Sequence, residues 1–170
     1  MNLTRLFETQ DKLDQRIVKE KGLEGQDLLP EKILSLRVEL GEFANELPET
    51  FKFWSNKKNN YEKALIEYVD SLHFILSIGL ELGVDVEALE KVVGEEFGSA
   101  RCEINDVFLN VSDVEINIRL NRLDAALSEY EDLLMRFLLM GNRYGFEWEQ
   151  IEQAYYSKNK INHERQATGY

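Results

Sequence analysis

Cysteine is scarce in this sequence, and cationic residues are outnumbered by acidic ones. A single cysteine, Cys102, among 170 residues excludes an internal disulfide framework and favours a reducing compartment, for which we expect the cytoplasm. Lys and Arg number 20 against 32 Asp and Glu, which gives a formal net charge of −12. So acidic a chain has no basic surface for nucleic acid or an anionic membrane, and we expect it to bind neither. Any phosphorylated substrate would need a metal ion to mediate the encounter.

Long uncharged apolar runs are also missing. The longest apolar stretch, residues 64–82, contains Glu67, Asp70, His73 and Glu81, which argues against a lipid-facing helix. The first residues do not show the charged segment followed by an apolar segment that is typical of a targeting signal. There are only 2 Pro and 10 Gly, and no Pro- or Ser-rich linker divides the sequence, so we expect one domain over residues 1–170.

The spacing of the apolar residues predicts an all-α fold, an antiparallel bundle of five or six helices. Glycine, proline and Asn or Asp at their ends place the first four helices at 3–21, 30–47, 61–82 and 86–95. Residues 48–60 are expected to form a loop. Residues 101–141 form one long helix or two shorter ones that break near 110–113, and the last helix covers 147–165.

An internal repeat relates residues 67–91 to residues 129–153 without gaps. The matched positions include the motif Glu-Tyr-x-Asp, at 67–70 and 129–132, and two glycines in each copy, at 79 and 83 and at 141 and 145. Chance similarity between two amphipathic helices is the alternative. The matched glycines favour duplication of a helical hairpin.

Two pairs of carboxylates stand in otherwise apolar helices. Glu39 and Glu42 form one pair and Glu67 and Asp70 the other, and the spacing of three residues puts each pair on one helix face. No Lys or Arg occurs within residues 38–51 or 64–80, so we expect these acids to have no cationic partner. Because unpaired buried charges are costly, the acids must be protonated, hydrated or neutralised by an external cation.

Four carboxylates from two facing helices would offer hard oxygen ligands, which suit Mg²⁺, with Mn²⁺ as the alternative. Zinc is disfavoured, because the only histidines are His73 and His163 and there is no cysteine cluster. The other interpretation is a solvated stripe of acids. Two pairs on neighbouring apolar helices favour the metal site, whereas the acids of the second repeat copy stand among arginines and are interpreted as scaffold.

The pattern Glu39-x-x-Glu42 followed by Glu67-x-x-Asp70 resembles the all-α nucleoside triphosphate (NTP) pyrophosphatase superfamily, which includes the MazG-like enzymes. Three further segments resemble the dimeric all-α dUTPases (dUTP diphosphatases) more specifically. They are Gln10-x-x-Leu13-Asp14, Phe51-Lys52-x-Trp54 and the run Tyr156-x-Lys158-Asn159-x-x-Asn162-x-x-Arg165-Gln166-x-x-Gly169-Tyr170. The resemblance covers most of the chain and is weakest between about residues 94 and 127.

This resemblance implies Mg²⁺-dependent hydrolysis of dUTP, and of dUDP, to dUMP with release of pyrophosphate or phosphate. It implies an acidic cage for about two or three Mg²⁺ ions. It also implies a homodimer in which the neighbouring subunit helps to close the site. A MazG-like NTP pyrophosphatase of broader specificity and a non-catalytic helical interaction protein remain as alternatives.

The resemblance also implies roles for individual residues. Glu39 would take the proton of the attacking water, and the metal ligands would be Glu39, Glu42, Glu67 and Asp70. The phosphate-binding residues would be Lys158, Asn162 and Arg165, which share one helix face, and a tail ending at Tyr170 would fold over the nucleotide. A frayed, solvated terminal helix is the alternative interpretation of that face.

For the nucleoside, Gln10 and Asp14 would line the uracil pocket, because an amide can donate to O4 and accept from N3–H. Trp54 would pack against the base. Phe74 would leave no room for a ribose 2′-OH, and His73 would bond the 3′-OH. Ordinary helix packing is the alternative for each of these side chains.

Overall fold

The computed structural model describes residues 2–95 and 103–168, and all regular structure in these residues is helical. The helices are α1 (Leu3–Lys21), α2 (Leu29–Glu46), α3 (Tyr61–Leu82), α4 (Val86–Glu95), α5 (Ile104–Arg119), α6 (Leu123–Arg143) and α7 (Trp148–Thr168), with a short 3₁₀ turn at Pro48–Thr50. The predicted all-α fold is confirmed. Cys102 and Tyr170 lie outside the described residues.

Local capping explains why three of the predicted helices have the predicted ends. α1 and α3 each end at a glycine in the left-handed region, Gly22 with φ 64° and Gly83 with φ 70°, a conformation that costs glycine little. Asn60 opens α3, because its side chain accepts a hydrogen bond from the backbone N–H of Lys63. Asp85 caps α4 in the same way.

The predicted break near residues 110–113 is wrong, and the described residues hold seven α-helices rather than five or six. Residues 110–113 lie within α5, where Asn110 and Val111 face the core. The chain turns instead at residues 120–122. Asn121 adopts a left-handed φ of 53°, and the N–H of Arg122 bonds the carbonyl oxygen of Asn117. Asparagine tolerates this conformation better than most residues, so it can end a helix where no glycine is present.

The central helix is α3, which packs against α1, α2, α6 and α7. Tyr68, Leu72 and Ile75 of α3 are fully buried. Enclosure of apolar side chains on several sides is the main source of stability in such a bundle. It also places the acid-bearing parts of α2 and α3 next to each other and within reach of α7. No helix in the described part of the chain combines the length and apolar character needed to cross a bilayer.

Two buried tyrosines make reciprocal contacts between α3 and α6. The hydroxyl of Tyr68 donates to the carbonyl oxygen of Phe137 at 3.1 Å, and that of Tyr130 donates to the carbonyl oxygen of Ile75 at 2.9 Å. Each ring lies against a glycine of the other helix, Gly141 and Gly79. Residues that match in the sequence repeat therefore make matching contacts. Duplication of a hairpin stays a prediction.

Candidate metal and nucleotide site

Helices α2 and α3 bring three acidic side chains together. Glu39, Glu67 and Asp70 each offer a carboxylate oxygen, and these oxygens lie within 4.8 Å of one another. All three side chains are half-buried. Glu42, one turn after Glu39, is exposed and is not part of this group. The described residues therefore provide three clustered carboxylates and a fourth close by.

Mutual repulsion and burial make this cluster costly without a counter-charge. Burial raises the pKa of Glu39 to about 7, and the charges of Asp70, Glu42 and Glu67 contribute to the increase. Burial and the Asp70 charge also raise the pKa of Glu67. A divalent cation bound by these oxygens would relieve both effects. The donor set, three hard carboxylate oxygens without sulfur or imidazole, fits Mg²⁺ or Mn²⁺.

The expectation that the acids have no cationic partner is wrong for Asp70. Lys158 Nζ, from α7, donates to Asp70 Oδ2. The two side chains are only 19% and 15% exposed, so the ion pair is largely shielded from water. Lys158 lies 88 residues from Asp70 in the sequence, so the residues that neighbour Asp70 along the chain could not indicate this ion pair.

A cavity of about 350 Å³ between α1, α2, α3 and α7 contains most of the predicted site residues. Such a volume lies in the range of small-molecule sites. From α1 and α3 it is lined by Gln10, Asp14, Asp70, His73 and Phe74. From α2 and α7 it is lined by Glu39, Lys158, Asn162 and Arg165. Residues predicted to contact the phosphates, the sugar and, apart from Trp54, the base thus line one cavity.

Trp54 is not brought to this cavity. Its side chain is 67% exposed in the loop after α2, where its ring packs edge-on against Phe53, which is 95% exposed. Within residues 2–95 and 103–168 of the single chain, no other segment covers these two aromatic rings. Trp54 is therefore not part of the cavity lining of its own chain, and its contact with the base stays a prediction.

A buried hydrogen-bond network stands behind the cavity. Gln10 is 3% exposed, and its Oε1 accepts from the hydroxyl of Tyr155 at 2.9 Å and lies 2.7 Å from His73 Nδ1. Its Nε2 donates to Asp14 Oδ1 at 2.7 Å. Because Gln10 Oε1 can only accept, His73 Nδ1 carries the proton and His73 Nε2 holds a lone pair. Among the described residues this buried Nε2 has no hydrogen-bond partner.

The histidine is held neutral by its surroundings. Burial lowers the pKa of His73 to about 3, and the Lys158 charge adds to this effect. The pKa of the Asp14 carboxyl shifts upward instead, because burial raises it more than the contacts with Ser77 and Lys32 lower it. At neutral pH His73 Nε2 can therefore only accept a hydrogen bond.

This buried neutral histidine predicts a pH-dependent contribution to stability. In the unfolded chain His73 has its ordinary pKa of 6.5 and is protonated below that pH. In the folded chain it stays neutral down to about pH 3. The stabilisation is present above pH 6.5 and is lost toward pH 3, by at most about 1.4 kcal/mol per pH unit. We expect the difference in unfolding free energy between the wild type and His73→Gln to shrink between pH 7 and pH 5 in urea titrations. A constant difference would contradict a neutral His73.

Sequence reasoning missed four residues of this region. Lys32, Ser35 and Ser77 line the cavity, and Tyr155 was interpreted as packing although its hydroxyl bonds Gln10. Helical spacing could have found three of them: Lys32 and Ser35 share a face with Glu39 on α2, and Ser77 shares a face with Asp70 on α3.

The all-helical fold, and a cavity lined by two of the three clustered acids, fit an all-α hydrolase that acts on nucleotides. More particularly, the chain belongs to the dUTPase family: the sequence profile described as dUTPase matches residues 2–170. Its members are dUTP diphosphatases, which hydrolyse dUTP and generally use a divalent metal ion. A search of curated proteins gives no match to this chain. Membership of the wider MazG-like superfamily stays a prediction.

Proposed function

We propose that this enzyme hydrolyses dUTP, and also dUDP, to dUMP with the help of Mg²⁺, releasing pyrophosphate or phosphate. The observation that carries the proposal is the cluster of Glu39, Glu67 and Asp70, two of which, Glu39 and Asp70, line a cavity of about 350 Å³ that buried polar side chains also line. The phosphates would then lie at the acids, and the base would lie at the buried polar side chains of the same cavity. One all-α NTP pyrophosphatase domain over residues 1–170 performs the reaction in the cytoplasm.

The acid cluster would hold the metal, with Glu42 completing the ligand set. Bound there, Mg²⁺, or Mn²⁺ in its place, would supply charge neutralisation and Lewis acidity for the phosphate oxygens. Glu39, which also lines the cavity, accepts the proton of the water that attacks phosphorus. The phosphoanhydride bond between the α- and β-phosphorus breaks. Attack at the α-phosphorus would send its electron pair to pyrophosphate, or to phosphate from dUDP, and attack at the β-phosphorus would send it to dUMP.

Helix α7 would bind the phosphates. Lys158, Asn162 and Arg165 line the cavity and offer an ammonium, an amide and a guanidinium to anionic oxygens. The segment after α7, ending at Tyr170, would close over the bound nucleotide and exclude water.

The sugar would lie between the phosphates and the base. His73 Nε2 is a buried acceptor without a partner in the described residues, and it would accept from the 3′-OH. Phe74, half-buried in the cavity wall, would leave no room for a 2′-OH. Gln10 and Asp14 would form the wall of the uracil pocket.

A homodimer would bring Trp54 of one copy to the base in the other copy, which agrees with its exposure outside its own cavity. Light scattering should give twice the 19.9 kDa of one chain. Trp54→Ala should raise the KM for dUTP about 10-fold, because aromatic stacking on a base is lost, without changing that mass. Phe53→Ala is the matched control. A monomeric mass, or an unchanged KM in Trp54→Ala, would remove this part of the proposal.

Substrate preference tests the proposed function directly. With Mg²⁺ present, kcat/KM for dUTP should exceed that for dTTP by at least ~10²-fold, because the closed pocket would have no room for the C5 methyl group. dCTP, whose base edge is reversed, and UTP, whose 2′-OH would meet Phe74, should also be poorer substrates. Pyrophosphate release is the readout. Equal turnover of all four nucleotides would instead indicate an NTP pyrophosphatase of broad specificity, and no turnover of any would favour a non-catalytic protein.

A further inference from the structure

Lys32 of α2 lies beside Asp14 in the wall of the cavity. Its Nζ is 3.5 Å from Asp14 Oδ2 and donates to Glu81 Oε1 at 2.6 Å. The side chains of Lys32 and Asp14 are only 13% and 17% exposed. Asp14 Oδ2 also accepts from Ser77 Oγ at 2.5 Å. A donor and an acceptor therefore stand side by side, largely shielded from water, at a ligand-sized cavity.

The hydrogen-bond partners of Asp14 and Lys32 on α3 show which of the two lies nearer the acid cluster. Asp70 belongs to the cluster, Ser77 bonds Asp14, and Glu81 bonds Lys32. With the rise of an α-helix, Ser77 is roughly 10 Å and Glu81 roughly 16 Å along the axis from Asp70. Asp14 is therefore the nearer of the two to the metal and phosphate end, and Lys32 is the farther.

We propose that Lys32 determines base specificity together with Asp14: Asp14 accepts from N3–H of the pyrimidine, and Lys32 donates to O4. This inference rests on the proposed function, in which the phosphates lie at the acids. In uracil N3–H is nearer the sugar and O4 lies at the far end of the ring, which is the order of acceptor and donor along α3. Cytosine turns an unprotonated N3 toward Asp14 and an amino group toward Lys32, so neither contact forms.

Gln10 is then a positioning residue rather than the group that reads the base. Its Oε1 is already engaged by Tyr155 and faces His73, and its Nε2 donates to Asp14. These contacts hold the Asp14 carboxylate in place. This division of labour also accounts for a carboxylate at position 14: a carboxylate only accepts hydrogen bonds, and the neighbouring ammonium supplies the missing donor.

The competing explanation is that Lys32 only stabilises the fold through its ion pair with Glu81. In that case substitution of Lys32 would change stability, or the rates with all nucleotides equally. The ratio of kcat/KM between two bases separates the two explanations, because a loss of folded enzyme cancels in the ratio.

The experiment measures kcat/KM for dUTP, dCTP and 4-thio-dUTP, whose sulfur is a weak hydrogen-bond acceptor, with the wild type, Lys32→Met and Glu81→Gln. Lys32→Met should lower kcat/KM for dUTP by about 10- to 100-fold, the effect of losing a charged hydrogen bond, and leave dCTP nearly unchanged. The preference for dUTP over 4-thio-dUTP should disappear as well. Glu81→Gln, which keeps the ammonium, should retain both preferences.

If Lys32→Met fails to fold because Asp14 loses its counter-charge, the double variant Asp14→Asn with Lys32→Met removes both charges, and its dUTP to dCTP ratio should fall below that of Asp14→Asn alone. A ratio in Lys32→Met equal to that of the wild type, or in the double variant equal to that of Asp14→Asn, overturns the role of Lys32 and leaves the proposed function intact. A wild-type protein that does not hydrolyse dUTP overturns the proposed function, and this inference with it.

Discussion

Replacement of Asp70 by Asn should lower kcat for dUTP by on the order of 10³-fold, because the metal would lose a charged ligand at the point where negative charge develops. Glu39→Gln should have an effect of similar size, since Glu39 would serve both as ligand and as base. Steady-state pyrophosphate release at saturating Mg²⁺ measures both variants. Circular dichroism should show unchanged helix content, because neither side chain is in the apolar core.

The internal repeat offers a matched control for this experiment. Asp132 occupies the position of Asp70 in the second copy, but it is exposed on α6 and is not part of the three-acid group. Asp132→Asn should leave kcat within about twofold of the wild type, as expected for a surface substitution. Retention of activity in both Asp70→Asn and Glu39→Gln would contradict the proposed mechanism.

Replacement of Gly141 by Ala should destabilise the fold by about 2 kcal/mol, in the range of an overpacked core. A Cβ on Gly141 would lie 2.5 Å from the hydroxyl oxygen of Tyr68. The Tyr68 ring cannot move aside easily, because it is fully buried and stacks on the ring of Phe137. Its hydroxyl is also held by a hydrogen bond to the Phe137 carbonyl oxygen. Urea unfolding followed by circular dichroism gives the change in free energy.

Gly41 of α2 is the matched control for Gly141, because it is also helical but exposed and has nothing within 4 Å of a built Cβ. Gly41→Ala should be neutral or stabilising by about 0.5–1 kcal/mol, since alanine loses less backbone entropy in a helix. Equal stabilities of Gly141→Ala and Gly41→Ala would show that the tyrosine contact is looser than described.

Local signals explain how far the sequence predicted the fold. The ends of α1 and α3 follow from single residues, Gly22 and Gly83, whose effect depends only on neighbouring backbone. The sequence predicts the turn after α5 near residues 110–113, but asparagine occurs both at 110, inside the helix, and at 121, where the chain turns. Only packing distinguishes them: Asn110 faces the core and Asn121 is exposed.

The site was predictable where residues share a helix face and unpredictable where distant segments meet. The spacing of Glu67 and Asp70 places both on one face of α3, and of the two acids predicted to join them from α2 the three-acid group includes Glu39. Nothing along the chain indicated that Lys158 would pair with Asp70, or Lys32 with Asp14. Such pairs depend on how α1, α2, α3 and α7 pack, which local patterns do not encode.

Titration of Mn²⁺ into protein freed of metal by a chelator, followed by calorimetry, tests most directly whether the clustered acids form a metal site. The account predicts saturable binding by the wild type, an affinity at least ~10-fold lower in Glu67→Gln, and wild-type affinity in Glu129→Gln, the matching acid of the second repeat copy. Equal affinities in Glu67→Gln and Glu129→Gln, or no saturable binding by the wild type, would contradict it.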